Sequence, residues 1–179
     1  WQVTGHERYR QVLDETIAYV LRDLRHADGG FHSAEDADSE GEEGRFYLWT
    51  LKQVKDLLSP DEAELAARAY GLEPAGNFVD ELRGGRTGAN ILHLAKGLPE
   101  LAHELGMKEQ ELRERLEVIR KKLFAAREKR TRPHKDDKIL ADWNGLMIAA
   151  LGKAAAALGE PAFAEAADRA ARFFRERMR

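Results

Sequence analysis

Residues 139–161 read ILADWNGLMIAALGKAAAALGEP, and this stretch decides the fold class. Positions 139–158 carry apolar residues on nearly all sides of a helix, a pattern typical of a helix that is buried on most sides. Gly159-Glu160-Pro161 then turns the chain. After this turn, apolar residues recur at helical spacing at Phe163, Ala166, Ala167, Ala170, Phe173 and Phe174. The stretch therefore predicts a hairpin in which a heavily buried helix pairs with an amphipathic one.

Similar helix signals recur through the rest of the chain. Capping boxes, in which Ser or Thr is followed three residues later by Glu or Gln, mark helix starts. They occur at Thr4/Glu7, Thr50/Gln53 and Ser59/Glu62. The first predicted helix has about five turns and ends at Asp28. The other predicted helices are 51–58, 60–70, 98–105, 108–130, 139–158 and a last one from Pro161. Gly71 closes helix 60–70, and helix 108–130 carries Leu112, Leu116, Ile119 and Leu123 on one face. The glycine-rich stretch 71–90 is predicted to be a loop, and only 46–49 has a strand pattern. The fold class is therefore all-α, built from about seven helices in antiparallel hairpins.

Length and composition limit the class of protein. The 179 residues favour a single domain over 1–179. Twenty-nine Lys and Arg against 32 Asp and Glu give a net charge of −3, which argues against nucleic-acid and polybasic membrane partners. The absence of cysteine excludes a disulfide framework, a thiolate zinc site and a Cys nucleophile. The longest apolar stretch, Gly145–Leu158, is shorter than the roughly 20 residues of a membrane span.

The first residues, Trp1-Gln2-Val3, contain neither an initiator Met nor the basic start of a signal peptide. We therefore expect the chain to be cut from a longer protein and to be cytoplasmic. No cofactor and no resident metal are expected.

Residues 28–44, DGGFHSAEDADSEGEEG, form an acidic loop with seven acids and no Lys or Arg. Such a density is self-repelling and implies a partner that neutralises it. The run from Asp36 fits the first positions of a calcium loop, but the position that needs a bidentate acid falls on Tyr47, so an EF-hand is excluded. Three interpretations stay open: a looser metal site, a solvated acidic loop and a carboxylate-lined site. The glycines and flanking aromatic residues favour the last of these.

A second segment, residues 127–144, reads REKRTRPHKDDKILADWN. Its positive charges suit the C-terminal end of a long helix. Asp136 and Asp137 could cap the following helix, with Trp143 in the core. Alternatively, Trp143 could stack on a sugar ring while acids and amides bind its hydroxyl groups, and paired carboxylates could act on a glycosidic bond. His134 is interpreted as an interface or capping residue rather than a catalyst.

The acidic loop and the basic segment have opposite charges. Nine basic residues between Arg120 and Lys138 face only three acids, Glu128, Asp136 and Asp137. We therefore expect residues 35–43 and 127–138 to lie close together and to form ion pairs.

Three motifs occur in order between residues 27 and 155: GGFHSAEDADSEGEEGRFYLWT, GNFVDELRGGRTGANILHLA and RTRPHKDDKILADWNGLMIAAL. Together they resemble the spermatogenesis-associated protein 20-like family of thioredoxin-domain proteins. The resemblance implies a thioredoxin-like domain followed by an (α/α)6 toroid similar to N-acylglucosamine 2-epimerase and the six-hairpin glycosidases. This chain would be the early part of the toroid, without the thioredoxin domain, and its motifs would lie at the mouth of a central cavity.

The resemblance implies no particular reaction. The catalytic histidines of epimerase-like relatives cannot be matched to this chain by motif. Where the family leads us to expect an acid after GNF, this chain has Val79, followed by Asp80 and Glu81.

The predicted function is therefore sugar binding, epimerisation or glycoside hydrolysis by a toroid of which this chain is a fragment. The candidate catalytic residues are Asp36, Asp38, Asp136 and Asp137. The candidate sugar-binding residues are Glu35, Trp49, Asn77, His134, Lys138, Trp143 and Asn144. The alternative is a non-catalytic scaffold or regulatory module of a thioredoxin-domain protein. We also expect an exposed flank of 139–158 that contains Leu146, Met147, Ile148 and Leu151. The chain should either self-associate through this flank or fold its terminal helices back over it.

Overall fold

The computed structural model describes residues 1–80 and 84–178, which are mostly helical. The helices are α1 (Glu7–Tyr19), α2 (Leu51–Leu57), α3 (Pro60–Ala69), α4 (Leu98–Leu105), α5 (Glu109–Arg127), α6 (Ala141–Leu158) and α7 (Pro161–Arg177). A π-helical turn, Val20–Leu24, continues α1. The all-α prediction is confirmed at this level. Among the described residues, no helix has the length and apolar character to cross a membrane.

Eight strands of two residues each form four antiparallel pairs in the described chain. They are β1 (Ala34–Glu35) with β8 (Lys135–Asp136), β2 (Asp38–Ser39) with β3 (Glu42–Glu43), β4 (Trp49–Thr50) with β7 (Ala89–Asn90), and β5 (Val79–Asp80) with β6 (Gly85–Arg86). The prediction of a strand at 46–49 alone was wrong, and so was the prediction of a plain loop at 71–90. Two-residue strands are too short to show an alternating pattern in the sequence. Glu81, in the motif that departs from the family pattern, lies outside the described residues.

The chain divides into two compact units. Unit 1 consists of residues 1–36 and the chain from His134 onward, and unit 2 of residues 37–133. Each unit has its own cluster of buried apolar side chains. The single domain over 1–179 stays a prediction.

The core of unit 1 lies where α6 and α7 form a hairpin against α1. Its buried residues are Ile17, Val20, Phe31, Leu151, Ala154, Ala166, Ala167 and Ala170. The prediction that α6 is buried on most sides was wrong, because this helix packs in unit 1 through one face only. Trp143 is 52% exposed and Leu146 is 72% exposed, while Leu151 is fully buried.

The core of unit 2 is built on α5. The stripe predicted from the sequence, Leu112, Leu116, Ile119 and Leu123, is buried there. Val54 of α2, Ala66 of α3 and Leu101 of α4 belong to the same apolar cluster. This arrangement fixes the short helices that flank the loops of unit 2.

The helix ends mostly follow the sequence. The capping boxes Thr50/Gln53 and Ser59/Glu62 are both present, and Gly71 has the left-handed backbone of a C′ glycine. The predicted Thr4/Glu7 box was wrong. α1 begins at Glu7 with His6 as its N-cap, and the Thr4 hydroxyl instead accepts a hydrogen bond from the His6 N–H.

Candidate functional site

β1 and β8 form a short antiparallel ladder in unit 1 that joins the acidic loop to the second motif segment. Glu35 pairs with Lys135, and the N–H of Asp36 donates to the carbonyl oxygen of His134 at 2.7 Å. Successive side chains of a strand point to opposite faces. The outer face of the ladder therefore carries Asp36, His134 and Asp136, and the inner face carries Glu35 and Lys135.

The inner face is attached to the end of α1. The Tyr19 hydroxyl donates to Glu35 Oε2 at 2.9 Å, and Lys135 Nζ donates to the carbonyl oxygen of Asp23 in the π-helical turn. A cationic side chain at this position suits the C-terminal end of a helix, where carbonyl groups lack backbone partners. Glu35, predicted to bind sugar, is thus engaged by Tyr19, and both strands are held against the same helix end.

The outer face is more accessible. Asp36 and His134 are exposed, and Asp136 is half-buried. The backbone N–H of Lys138 donates to Asp136 Oδ1 at 3.3 Å, and its Nζ to Asp136 Oδ2 at 2.9 Å. The side-chain hydrogen bond from Lys138 is the main cause that lowers the pKa of Asp136, and the same contact raises the pKa of Lys138. Asp136 is therefore a carboxylate near neutral pH and is suited to accept hydrogen bonds rather than to donate a proton.

The first turn of α6 follows this ladder and holds two of the predicted sugar-binding residues, which differ in their exposure. Trp143 is half-exposed, whereas Asn144 is buried. Asn144 Oδ1 accepts from the Phe31 N–H at 2.7 Å, and its Nδ2 donates to the carbonyl oxygens of Phe31 and Leu140, both at 2.9 Å. Asn144 thus fastens the acidic loop to α6, and its amide group forms its hydrogen bonds with the backbone of the protein itself.

The remaining predicted residues belong to unit 2. Trp49 is buried, and the guanidinium of Arg130 lies 4.0 Å from its ring centroid. The Asn77 amide binds the carbonyl oxygens of Gly71 and Ile91 and the N–H of Ile91. Both side chains are thus occupied by internal contacts. Asp38 is exposed in the β2–β3 hairpin.

Two residues that the sequence analysis missed organise the loops of unit 2. Asn90 is fully buried, and its Oδ1 accepts from the N–H groups of Glu73 and Asn77. Its Nδ2 donates to the carbonyl oxygens of Trp49, Glu73 and Gly88. An Asn beside the apolar run Ile91-Leu92 in a glycine-rich stretch was the available signal. Arg130 donates to the carbonyl oxygens of Phe46 and Leu48 at 2.9 and 2.7 Å.

The predicted proximity of the acidic loop and the basic segment is confirmed inside each unit. In unit 1 the β1–β8 ladder joins them, and in unit 2 the Ser39 hydroxyl donates to the Thr131 carbonyl oxygen at 2.6 Å. Hydrogen bonds to the backbone are among the contacts that join them here. Within the acidic hairpin, Arg45 pairs with Glu40 at 2.9 Å and with Glu42 at 3.4 Å.

The looser metal site was one of the three interpretations of the acidic loop. Within residues 1–80 and 84–178, no group of three or more His, Asp and Glu side chains is arranged to hold a metal ion. The acidic hairpin therefore shows no ready coordination shell.

No protein-family model matches the chain. Over 99% of its length, the chain is 36% identical to Spermatogenesis-associated protein 20 of Homo sapiens and 35% identical to that of Rattus norvegicus. This similarity supports membership of the spermatogenesis-associated protein 20-like family. An uncharacterized protein of Caenorhabditis elegans is 29% identical over 94% of the chain. The chain spans 25% of the length of each of these relatives.

Proposed function

We propose that unit 1 carries a binding site for a sugar or a similar polyhydroxylated molecule on the outer face of the β1–β8 ladder. The observation that carries this proposal is the ladder itself, which brings Asp36 and Asp136 together from segments far apart in the sequence. Because Asp36 faces His134, the two aspartates are diagonal neighbours, which lie about 7–8 Å apart in an antiparallel pair. Two carboxylates at this separation can accept hydrogen bonds from hydroxyl groups of one small ligand.

Two further features support a sugar as the ligand. Hydrogen bonds from Lys138 lower the pKa of Asp136 and favour its ionised, hydrogen-bond-accepting form. Trp143, half-exposed in the first turn of α6, offers an aromatic surface on which a sugar ring can stack. Asn144, directly after it, holds the loop that leads into β1 and so positions the ladder.

Binding is the step that epimerisation and glycoside hydrolysis share. Hydrolysis also needs one protonated and one ionised carboxyl group. In this proposal Asp136 takes the ionised role. The toroid and the thioredoxin-like domain belong to the same proposal, and the three sequence motifs support them. A cytoplasmic location is proposed with them.

The test is saturation-transfer NMR on the full-length protein with a panel of mono- and disaccharides. We expect the wild type to respond to at least one sugar, and Asp36→Asn, Asp136→Asn and Trp143→Ala each to lose that response. Tyr9→Ala is a matched control for the aromatic variant, because Tyr9 is 55% exposed in the same unit. Asp168→Asn, on α7, is the control for the carboxylates. A silent wild type, or variants that respond like the wild type, would contradict the proposal.

A second function, that of a non-catalytic scaffold or regulatory module, is favoured by a different observation. Asn144, Asn77 and Trp49 were predicted to bind sugar, yet each is occupied by contacts within its own unit. In a scaffold, these residues would serve only to fasten loops. If the protein is a scaffold, no sugar binds, while Asn144→Ala still destabilises the protein. A panel of divalent metal ions in the same assay tests whether the acidic loop binds a cation.

A further inference from the structure

His32 lies in the acidic loop, just before β1, and its backbone is held in place. Its N–H donates to the carbonyl oxygen of Leu24 at 2.8 Å, at the end of the π-helical turn. The next residue, Ser33, donates its hydroxyl to the carbonyl oxygen of Asp136 at 3.1 Å. His32 is therefore fixed against the chain that forms β8.

Among the described residues, the ring of His32 has one polar contact, and this contact determines where its proton resides. Nδ1 lies 3.2 Å from the carbonyl oxygen of Asp137. A carbonyl oxygen can only accept a hydrogen bond, so Nδ1 must carry the hydrogen. A neutral imidazole has a single N–H, which leaves Nε2 with a lone pair. In the described parts of the chain, no hydrogen-bond donor occupies this Nε2.

Aromatic packing limits the rotation of the same ring. The His26 ring lies edge-to-face against it, with 5.5 Å between centroids, and Phe173 of α7 lies 5.9 Å from His26. His26 is itself oriented, because its Nδ1 accepts a hydrogen bond from the Asp28 N–H at 3.1 Å. The lone pair of His32 is thus presented from an ordered side chain.

We propose that His32, fixed as the Nδ1–H tautomer by the Asp137 carbonyl, is a hydrogen-bond acceptor of the unit 1 site and takes a ligand hydroxyl at Nε2. This assignment rests on the proposed function, and it adds a neutral acceptor to the carboxylates of the ladder. The role proposed for His32 differs from that of His134, whose backbone carbonyl oxygen takes part in the ladder.

The tautomer can be measured without any ligand. Two-bond ¹H–¹⁵N correlation spectra of the full-length protein at about pH 8, above the ordinary histidine pKa of about 6.5, distinguish Nδ1–H from Nε2–H. We expect the Nδ1–H pattern at His32. His93 of unit 2 is an internal reference, because its Nδ1 lies 3.1 Å from the Ile91 carbonyl oxygen in the same arrangement. An Nε2–H pattern at His32 would overturn the inference.

Two amide variants test the role of Nε2 in binding. In His32→Asn the side-chain NH2 can still donate to the Asp137 carbonyl, but nothing reaches the position of Nε2. In His32→Gln the amide oxygen can reach that position. We expect the Kd of the sugar found by the panel to rise about tenfold in His32→Asn, the loss of one hydrogen bond, and to recover in part in His32→Gln. His93→Asn is the matched control and should bind like the wild type.

The outcomes separate the two proposals. If the wild type binds a sugar and His32→Asn binds it equally well, the inference is wrong and the proposed function stands. If no sugar binds the wild type, the proposed function fails, and the tautomer alone decides whether His32 is held as an acceptor.

Discussion

A single buried amide can hold a loop in place, and Asn144 does so in unit 1. It satisfies both backbone groups of Phe31, which is buried. In Asn144→Ala these groups lose their partners, at a cost of about 1–3 kcal/mol each. We expect the free energy of unfolding in urea to fall on the order of 3 kcal/mol, and exchange of the Phe31 amide hydrogen to accelerate. Gln110→Ala, which removes an exposed amide on α5, should change stability little.

The Asp136–Lys138 contact makes a prediction about pH. The lowered pKa of Asp136 means that its contribution to stability is present above the unfolded value of about 3.9 and is lost as the pH falls through the folded value. The raised pKa of Lys138 has the opposite sense, so that its contribution is lost only at alkaline pH. A ¹³C NMR titration should show Asp136 protonating below the ordinary range, and Lys138→Ala should return its midpoint toward about 3.9. An unchanged midpoint in Lys138→Ala, or an equal change in Lys153→Ala, would contradict this explanation.

The sequence indicated which segments lie close together, but not what each side chain contacts. Asn144, Asn77 and Trp49 were predicted to bind a ligand because polar and aromatic side chains in a motif suggest a site. Their partners are backbone groups that come close only in the folded chain, so local patterns could not reveal that these side chains are internally occupied.

At the scale of elements, most helix boundaries outside α1 were predictable because their signals are local. The boxes at Thr50 and Ser59 act within four residues, and both are present. The strands were not predictable, because each two-residue strand exists through a partner. β1 and β8 illustrate this, since Glu35 and Lys135 are separated in the sequence by the whole of unit 2.

The loop around β7 gives a prediction with a sharp control. Gly76 has φ of +83°, and a Cβ there would lie 2.3 Å from the Ala89 carbonyl oxygen. Gly41 has a similar φ of +77°, but a Cβ there would meet nothing within 4 Å. Gly41→Ala should therefore cost only the backbone strain of about 1–2 kcal/mol. Gly76→Ala should lower the free energy of unfolding in urea clearly more than Gly41→Ala does. Equal losses in the two variants would show that the backbone shifts and relieves the contact between the new Cβ and the Ala89 carbonyl oxygen.

At the scale of the whole molecule, the exposed side of α6 carries the prediction of self-association. Leu146 is 72% exposed beside the half-exposed Trp143. The rest of the predicted flank is not exposed in this way, because Leu151 is buried and Met147 and Ile148 pack against the core of unit 1. Apolar surface of this kind favours association. Light scattering over a concentration series of the chain should show an increasing mass, and Leu146→Lys should reduce it. Val118→Lys, at a 50% exposed site on α5, is the control. A constant monomer mass would contradict the prediction.

The β1–β8 ladder also has a consequence for the order of folding. Unit 2 is inserted between Asp36 and His134, so that the ladder closes a very long loop. Closing a flexible loop costs conformational entropy that grows with its length. Within unit 2, the Ser39–Thr131 hydrogen bond already holds its two ends near each other. If unit 2 folds first, it acts as a short tether and removes most of this entropic cost. In pulse-labelled hydrogen-exchange refolding, we therefore expect the Asp36 amide hydrogen to become protected from exchange after the amide hydrogens of α5.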